Sequence, residues 1–221
     1  MKKTDQTIKK EVVDELYWDN RIDSSKIDVR VENGNVTLSG TVPTYYDLTN
    51  AVVAVWRIHD IAGVVNNLSV SYVSPPTLPS DEEIKQRAEN IISWDPIVDE
   101  STLNIRVNSG ILTLEGHVDA HWKLANIENK ISGIRGILKI TNNLTVNPKR
   151  HLTDDMVAED VSSALKRDEM IDSHNVRVEV QDGIVRLVGT VPSWISKRAA
   201  EVDTSLTRGV IDVKNDLKVG N

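Results

Sequence analysis

VENGNVTLSG, residues Val31–Gly40, returns as VNSGILTLEG at Val107–Gly116 and as VQDGIVRLVG at Val180–Gly189. The offsets are 76 and 73 residues (31 to 107 to 180), and no gap is needed within a copy. Gly34, Gly110 and Gly183 align, as do Gly40, Gly116 and Gly189. Asn66, Asn142 and Asn215 align further on, followed by Leu68, Leu144 and Leu217. A fixed period of this kind means that one small unit is built three times.

Within the quoted stretch, Val29 and Val31 alternate with Asp28 and Arg30, and Val36 and Leu38 flank Thr37. Asn33-Gly34 lies between the two runs, and this dipeptide permits the positive φ angles of a two-residue hairpin turn. Ser109-Gly110 and Asp182-Gly183 serve the same turn in the other copies. Working outward, each copy opens with an apolar stripe at helical spacing: Ile8, Val12, Leu16; Ile84, Ala88, Ile92; Val157, Val161, Leu165. Ser80 with Glu83 forms a capping box, and Thr153-Asp154-Asp155 supplies a cap and helix-start acids.

After the hairpin, Pro43-Thr44 and Pro192-Ser193 stop a strand and cap a second helix. Asp119-Ala120 stands there in copy two and predicts a weaker or shifted cap. A third alternating strand closes each unit, through Val64–Val70, Ile140–Val146 and Val213–Val219. The expected fold class is α+β: three tandem αββαβ domains, each a three-stranded mixed sheet covered by two helices. Expected bounds are 1–73, 80–147 and 152–220. A proline-rich segment, Ser74–Pro79, reads as a semi-rigid spacer, and Asn147–His151 as a shorter basic one.

The net charge is −7, with acids outnumbering bases in every copy. That removes a general nucleic-acid footprint and a polybasic membrane patch. There is no cysteine, so disulfides, thiolate metal sites and cysteine nucleophiles are excluded together. The apolar run Ile61–Val65 is far short of the roughly 20 residues of a spanning helix. Met1-Lys2-Lys3 is followed by Thr4-Asp5-Gln6-Thr7 rather than an apolar stretch, so the sequence as written reads as cytoplasmic. The alternative is a periplasmic protein whose signal peptide has been removed.

Three sets of polar or aromatic residues are candidates for more than packing. The asparagines Asn66, Asn142 and Asn215 share strand parity with core residues and are expected to bond backbone near the second-strand glycines. Asp23, Asp99 and Asp172 fall in the turn before the first strand and read as turn-bonding residues. Tyr45, Tyr46, His121, Trp122 and Trp194 cluster at the start of the second helix. As exposed rings with a polar edge they are the candidate lipid- or partner-binding residues. Trp18, Trp94 and Trp56 have no counterpart in copy three and are expected to mark contacts between copies. His117 and His121 stand four apart without a glutamate ligand motif, and no metal site or cofactor is expected. Nucleophile-elbow, phosphate-loop, dinucleotide and zincin motifs are all missing from the sequence.

The segments Gly183-Ile-Val-Arg-Leu-Val-Gly-Thr-Val191 and Gly209-Val-Ile-Asp-Val-Lys-Asn-Asp-Leu217 resemble the hallmark of the BON domain (bacterial OsmY and nodulation domain). Copy two keeps Gly110, Gly116, Gly136, Asn142 and Leu144. Copy one has Asp60 in place of the loop glycine and Gly63 three places on, which allows a local shift of that loop. The resemblance implies a non-enzymatic, stress-related module that binds phospholipid or envelope surfaces. The alternative is a soluble ion-sensing or chaperone-like protein. Neither reading fixes an oligomeric state.

Overall fold

The computed structural model describes residues 3–71, 78–149 and 152–220. Both expected spacers fall partly outside them, at 72–77 and 150–151. The chain forms two compact units: Met1–Pro96 with Asn104–Leu114 and Glu128–Asn142, and Ile97–Leu103 with Glu115–Ile127 and Asn143–Asn221. The first repeat lies in one unit and the third in the other, and the second contributes to both.

Each repeat has the expected order. The first runs α1 (Asp5–Trp18), β1 (Ile27–Glu32), β2 (Asn35–Val42), α2 (Tyr45–Val55) and β3 (Gly63–Val70). The second runs α3 (Asp81–Ser93), β4 (Leu103–Asn108), β5 (Ile111–Val118), α4 (Trp122–Ile131) and β6 (Lys139–Val146). The third runs α5 (Asp154–Arg167), β7 (Val176–Gln181), β8 (Ile184–Val191), α6 (Trp194–Leu206) and β9 (Asp212–Val219). A single 3-10 turn precedes the first strand of each repeat. The sheets run β1-β2-β3, β4-β5-β6 and β7-β8-β9. In the first, β1 and β2 are antiparallel with Val29 opposite Leu38, while β2 and β3 are parallel with Gly40 opposite Leu68. The third repeats this register with Val178 opposite Leu187 and Gly189 opposite Leu217.

All three helical stripes are buried. In the first repeat Ile8, Val12 and Leu16 pack with Val36, Leu38, Ala51, Val55 and Leu68. In the third, Val157, Val161 and Leu165 pack with Val185, Leu187, Ala200 and Leu217. The hairpin turn has the predicted conformation, with Asn33 at φ 52° and Gly34 at 77°. Ser109-Gly110 and Asp182-Gly183 lie within a few degrees of these values.

The turn is held from both sides. Asp5, in the first turn of α1, accepts hydrogen bonds from the amides of Asn33 (2.8 Å) and Gly34 (2.9 Å). Asp81 does the same for Ser109 and Gly110, and Asp154 for Asp182 and Gly183. The carbonyls of Gly34, Gly110 and Gly183 then accept from Ala62, Leu138 and Ile211, just ahead of or at the start of the third strand. The loop before β3 is not shifted: Asp60 itself adopts φ 71°, where Gly136 has 100° and Gly209 has 80°. The β3, β6 and β9 strands therefore start at aligned positions, Gly63, Lys139 and Asp212.

The second-strand glycines meet a stricter constraint. A Cβ on Gly40 would lie 2.0 Å from the Lys26 carbonyl oxygen, on Gly116 2.0 Å from that of Thr102, and on Gly189 2.0 Å from that of Asn175. Their φ angles are 114°, 122° and 141°, a region unfavourable to L residues. Gly189→Ala is expected to destabilise the third repeat by more than about 4 kcal/mol, because backbone overlap and conformational strain add. Gly133→Ala, where nothing lies within 4 Å of the new Cβ, is expected to change stability by less than about 0.5 kcal/mol. Chemical denaturation of the two variants checks the contrast.

Candidate functional site

The second helix of each repeat starts at a corner where the chain leaves the second strand. Thr44 caps α2, its hydroxyl oxygen accepting from the Asp47 amide at 3.1 Å. Ser193 caps α6 by accepting from the Ser196 amide at 3.1 Å. Copy two lacks such a side-chain oxygen, and α4 begins one aligned position later than α2 and α6. Its first turn is closed by backbone bonds, Lys123 N to Ala120 O and Leu124 N to His121 O.

The five candidate binding residues lie at these corners, and all are half-buried rather than exposed. Tyr45 donates its hydroxyl to Glu128 on α4 at 3.2 Å, and the Tyr46 amide donates to the Ser132 carbonyl at 3.1 Å. Burial, then the Glu128 charge, pushes the Tyr45 phenol up to about 12. His121 occupies the position of Tyr45 one repeat later. Its Nε2 lies 3.7 Å from Asp212 on β9, and the Glu201 carboxylate on α6 also acts on it. Burial nevertheless lowers the imidazole below its usual value. Trp122 and Trp194 each carry a lysine ammonium over the ring, Lys123 at 5.8 Å and Lys197 at 4.9 Å.

The aligned asparagines bond backbone beside the second-strand glycines. Asn66 and Asn215 accept from the amides of Leu68 and Leu217, which lie opposite Gly40 and Gly189 in the parallel register. The third strand has a neighbour on one side only, so an outward-facing amide is available to the asparagine oxygen. In addition, Asn215 Nδ2 donates to the Lys197 carbonyl (2.9 Å) and to Glu201 (3.2 Å), while Asn142 donates to Glu128 (3.2 Å). Asp23, Asp99 and Asp172 do bond turn backbone, accepting from the amides of Ser25, Ser101 and His174.

The exposed aromatic surface lies elsewhere. Trp18 is 77% and Trp94 87% accessible, at matching ends of α1 and α3. The expectation that they join copies is therefore corrected. Tyr17 stacks edge-on against Trp18 at 5.1 Å and is 69% accessible, and Ile91 and Ile97 are exposed near Trp94 in sequence. Trp56 packs against the first core. His117 is exposed on β5 and His121 lies in the turn beyond it, so their spacing is not that of one helix face. Among the described residues no group of three or more His, Cys, Asp or Glu side chains is placed to hold a metal ion.

Near the same helix ends, the repeats differ in charge pairing. Arg57 bonds Asp19 at 3.2 Å in the first, and Lys130 bonds Asp95 in the second. In the third, Asp203 occupies the place of Lys130 and raises a second carboxylate near Asp168. A cavity of about 560 Å³ opens there, lined by Asp160, Arg167, Asp168, Asp203 and Arg208 among others. Burial, then the Asp168 charge, holds the Asp203 carboxyl above its usual value.

The BON domain family model matches residues 4–72, 80–148 and 153–221. Osmotically-inducible protein Y of Escherichia coli (strain K12) is 27% identical over 127 residues, 55% of this chain and 63% of that protein. The chain thus spans less than two thirds of that relative's length. Among solved structures, CdsD, a structural protein of the Type III secretion system of Chlamydia trachomatis, is 15% identical over 96% of this chain and 91% of its own. The C-terminal domain of the same protein is 16% identical over the whole of both chains. Both have a TM-score of 0.27, at which the likeness carries no argument.

The folded phenol of Tyr45 ionises above its ordinary value, so its contribution to stability is full below about pH 10 and lost as pH rises toward 12. Tyr45→Phe is expected to flatten that alkaline loss, read by denaturation at stepped pH beside tyrosinate absorbance. Asp203→Lys, which copies the cation of the second repeat, is expected to stabilise the third repeat at neutral pH by roughly 0.5–1 kcal/mol. Thermal unfolding of the full chain measures it.

Proposed function

The chain belongs to the BON domain family, and from that premise we propose that it is a non-catalytic, stress-related binding protein that docks on phospholipid surfaces. Its modules take the bounds 1–73, 80–147 and 152–220. The observation that carries the reading is the pair Trp18 and Trp94. An indole left in water forgoes the burial that would otherwise stabilise a small domain, and large exposed apolar groups mark interaction sites. Tryptophan suits the water–lipid boundary, being apolar over its rings with one polar N–H. Two weak anchors on one chain reinforce each other when both engage.

The charge decides the kind of surface. With a net charge of −7, general attraction to anionic headgroups is absent, so apolar insertion rather than counterion release supplies the affinity. Among the described residues no helix is long and apolar enough to cross a membrane, which is consistent with docking on the surface. The stress association is supported by the name of the Escherichia coli relative, osmotically-inducible protein Y. The envelope compartment follows from the family resemblance, and of the two placements the periplasmic alternative is the one this reading favours over the cytoplasmic. The helix-two residues Tyr45, Tyr46, His121, Trp122 and Trp194 are assigned to partner contacts rather than to lipid.

Liposome flotation tests the reading. The full chain is expected to float with zwitterionic vesicles at physiological salt, with little gain from anionic lipid. Trp18→Ala with Trp94→Ala is expected to weaken flotation by on the order of tenfold or more, about 1.4 kcal/mol. Unchanged flotation of that double variant would remove the proposed surface.

A further inference from the structure

In the first two repeats a cation of the chain sits on the carboxylate at the end of the first helix. Arg57 bonds Asp19 at 3.2 Å, and the Lys130 ammonium bonds Asp95, a buried carboxylate. Asp168 aligns with Asp19 and Asp95. The position of Arg57 is Leu206 in the third repeat, and the position of Lys130 is Asp203. Both cation positions have therefore changed, and one of them has become a second acid. The cavity of about 560 Å³ opens at this place. That volume falls within the roughly 300–1,000 Å³ usual for small-molecule sites.

The lining is ordered by charge and depth. Asp168 caps the C-terminal end of α5, Asp203 stands in the last turn of α6, and both are half-buried. A helix C-terminus carries partial negative charge, so acids at two such ends favour a positive occupant. Burial and the Asp168 charge hold the Asp203 carboxyl above its usual value, and the Arg167 charge offsets only part of this. Arg167 and Arg208 line the same cavity and are exposed, as is Asp160. Leu206 adds an apolar wall. Half-buried carboxylates below exposed guanidinium groups suit a molecule that carries both signs.

We propose that this cavity binds a small zwitterion: a primary ammonium seats on Asp168 and Asp203, in the role that Lys130 has in the second repeat, and a phosphate bonds Arg167 and Arg208. A primary ammonium has three N–H donors for the two carboxylates, and a methylated nitrogen has none. Each guanidinium can give a phosphate two parallel hydrogen bonds, and two of them reach it from different helix ends. The chemistry is that of an ethanolamine phosphodiester, free in solution or as the headgroup of a lipid. The site stands apart from Trp18 and Trp94, and its occupancy by a soluble ligand does not depend on docking through them.

Isothermal titration calorimetry of the full chain at two temperatures, with glycerophosphoethanolamine as ligand, tests the proposal. One-to-one binding is expected. Glycerophosphocholine is expected to bind more weakly by on the order of tenfold or more, because it lacks the N–H donors. Asp203→Lys is expected to abolish binding while stabilising the third repeat, since its own ammonium takes the seat; loss of the ligand is then not loss of the fold. Arg208→Gln is expected to weaken binding by about tenfold. No binding to the unaltered chain, equal binding of the two ligands, or binding that survives Asp203→Lys would overturn the proposal. Flotation of the chain carrying Trp18→Ala and Trp94→Ala, on phosphatidylcholine vesicles with and without phosphatidylethanolamine, separates the two sources. A gain from phosphatidylethanolamine that Asp203→Lys removes assigns the lipid headgroup, and soluble binding without that gain assigns the free solute.

Discussion

One carboxylate per repeat fastens the first helix to the hairpin. Asp5, Asp81 and Asp154 each accept from two successive turn amides at 2.7–2.9 Å. A two-residue turn with positive φ at both positions directs these amides away from the hairpin ladder, where they need an acceptor. An acid in the first helical turn is already favoured by the helix dipole, so one group meets two demands. Fixing the helix start over the turn lays the Ile8–Leu16 stripe, and its equivalents, across the sheet. The turn carbonyl on the far side receives the amide leading into the third strand. Both non-local joins of the unit therefore meet at two residues.

The second-strand glycine closes the other end. Its missing Cβ lets the 3-10 turn carbonyl approach where any side chain would collide. With these two points fixed, the frame tolerates change elsewhere. The residue facing the carboxylate at the end of the first helix is Arg57, then Lys130, then Asp203. The donor at the second-helix corner is a phenol, an imidazole, then an indole. The three repeats are alike where backbone geometry is demanding and unlike where side chains meet a neighbour or solvent.

That division also sets what could be read from sequence. Element order, helical stripes, the capping box at Ser80 and the turn glycines were legible because each leaves a local signature of period or residue type. The Asp5–turn bonds were not read, although the alignment of Asp5, Asp81 and Asp154 carries the signal: an acid recurring at one helix position, 28 residues ahead of the turn amide it binds. The asparagines' bonds to the second helix were not read, because strand parity says which face a residue takes, not which groups of the element packed there it meets. Tyr45, Tyr46 and His121 were expected to be exposed because contact with a neighbouring repeat leaves no trace in the repeat's own sequence. Conversely Trp18 and Trp94 stand two residues past the last position of the buried stripe, off its face at helical spacing, so their exposure was carried by the sequence although they were read as contacts between copies.

The exposed and the half-buried aromatics then have different physical causes. Tyr45 is held by a hydrogen bond that burial strengthens, since a desolvated phenol–carboxylate contact has little competition from water. Its half-burial is explained by the chain itself. Trp94, at 87% accessible, gains almost nothing from the chain. Full burial of a large apolar side chain is worth about 1.5–3 kcal/mol, a sizeable fraction of the 5–15 kcal/mol typical of a whole domain. Repeats of this size bury only about 60% of their unfolded surface, so leaving that stabilisation unused is costly. Packing accounts for the residues inside each repeat, and what it does not account for is the indole at the end of the first helix, which is where a binding surface has to be sought.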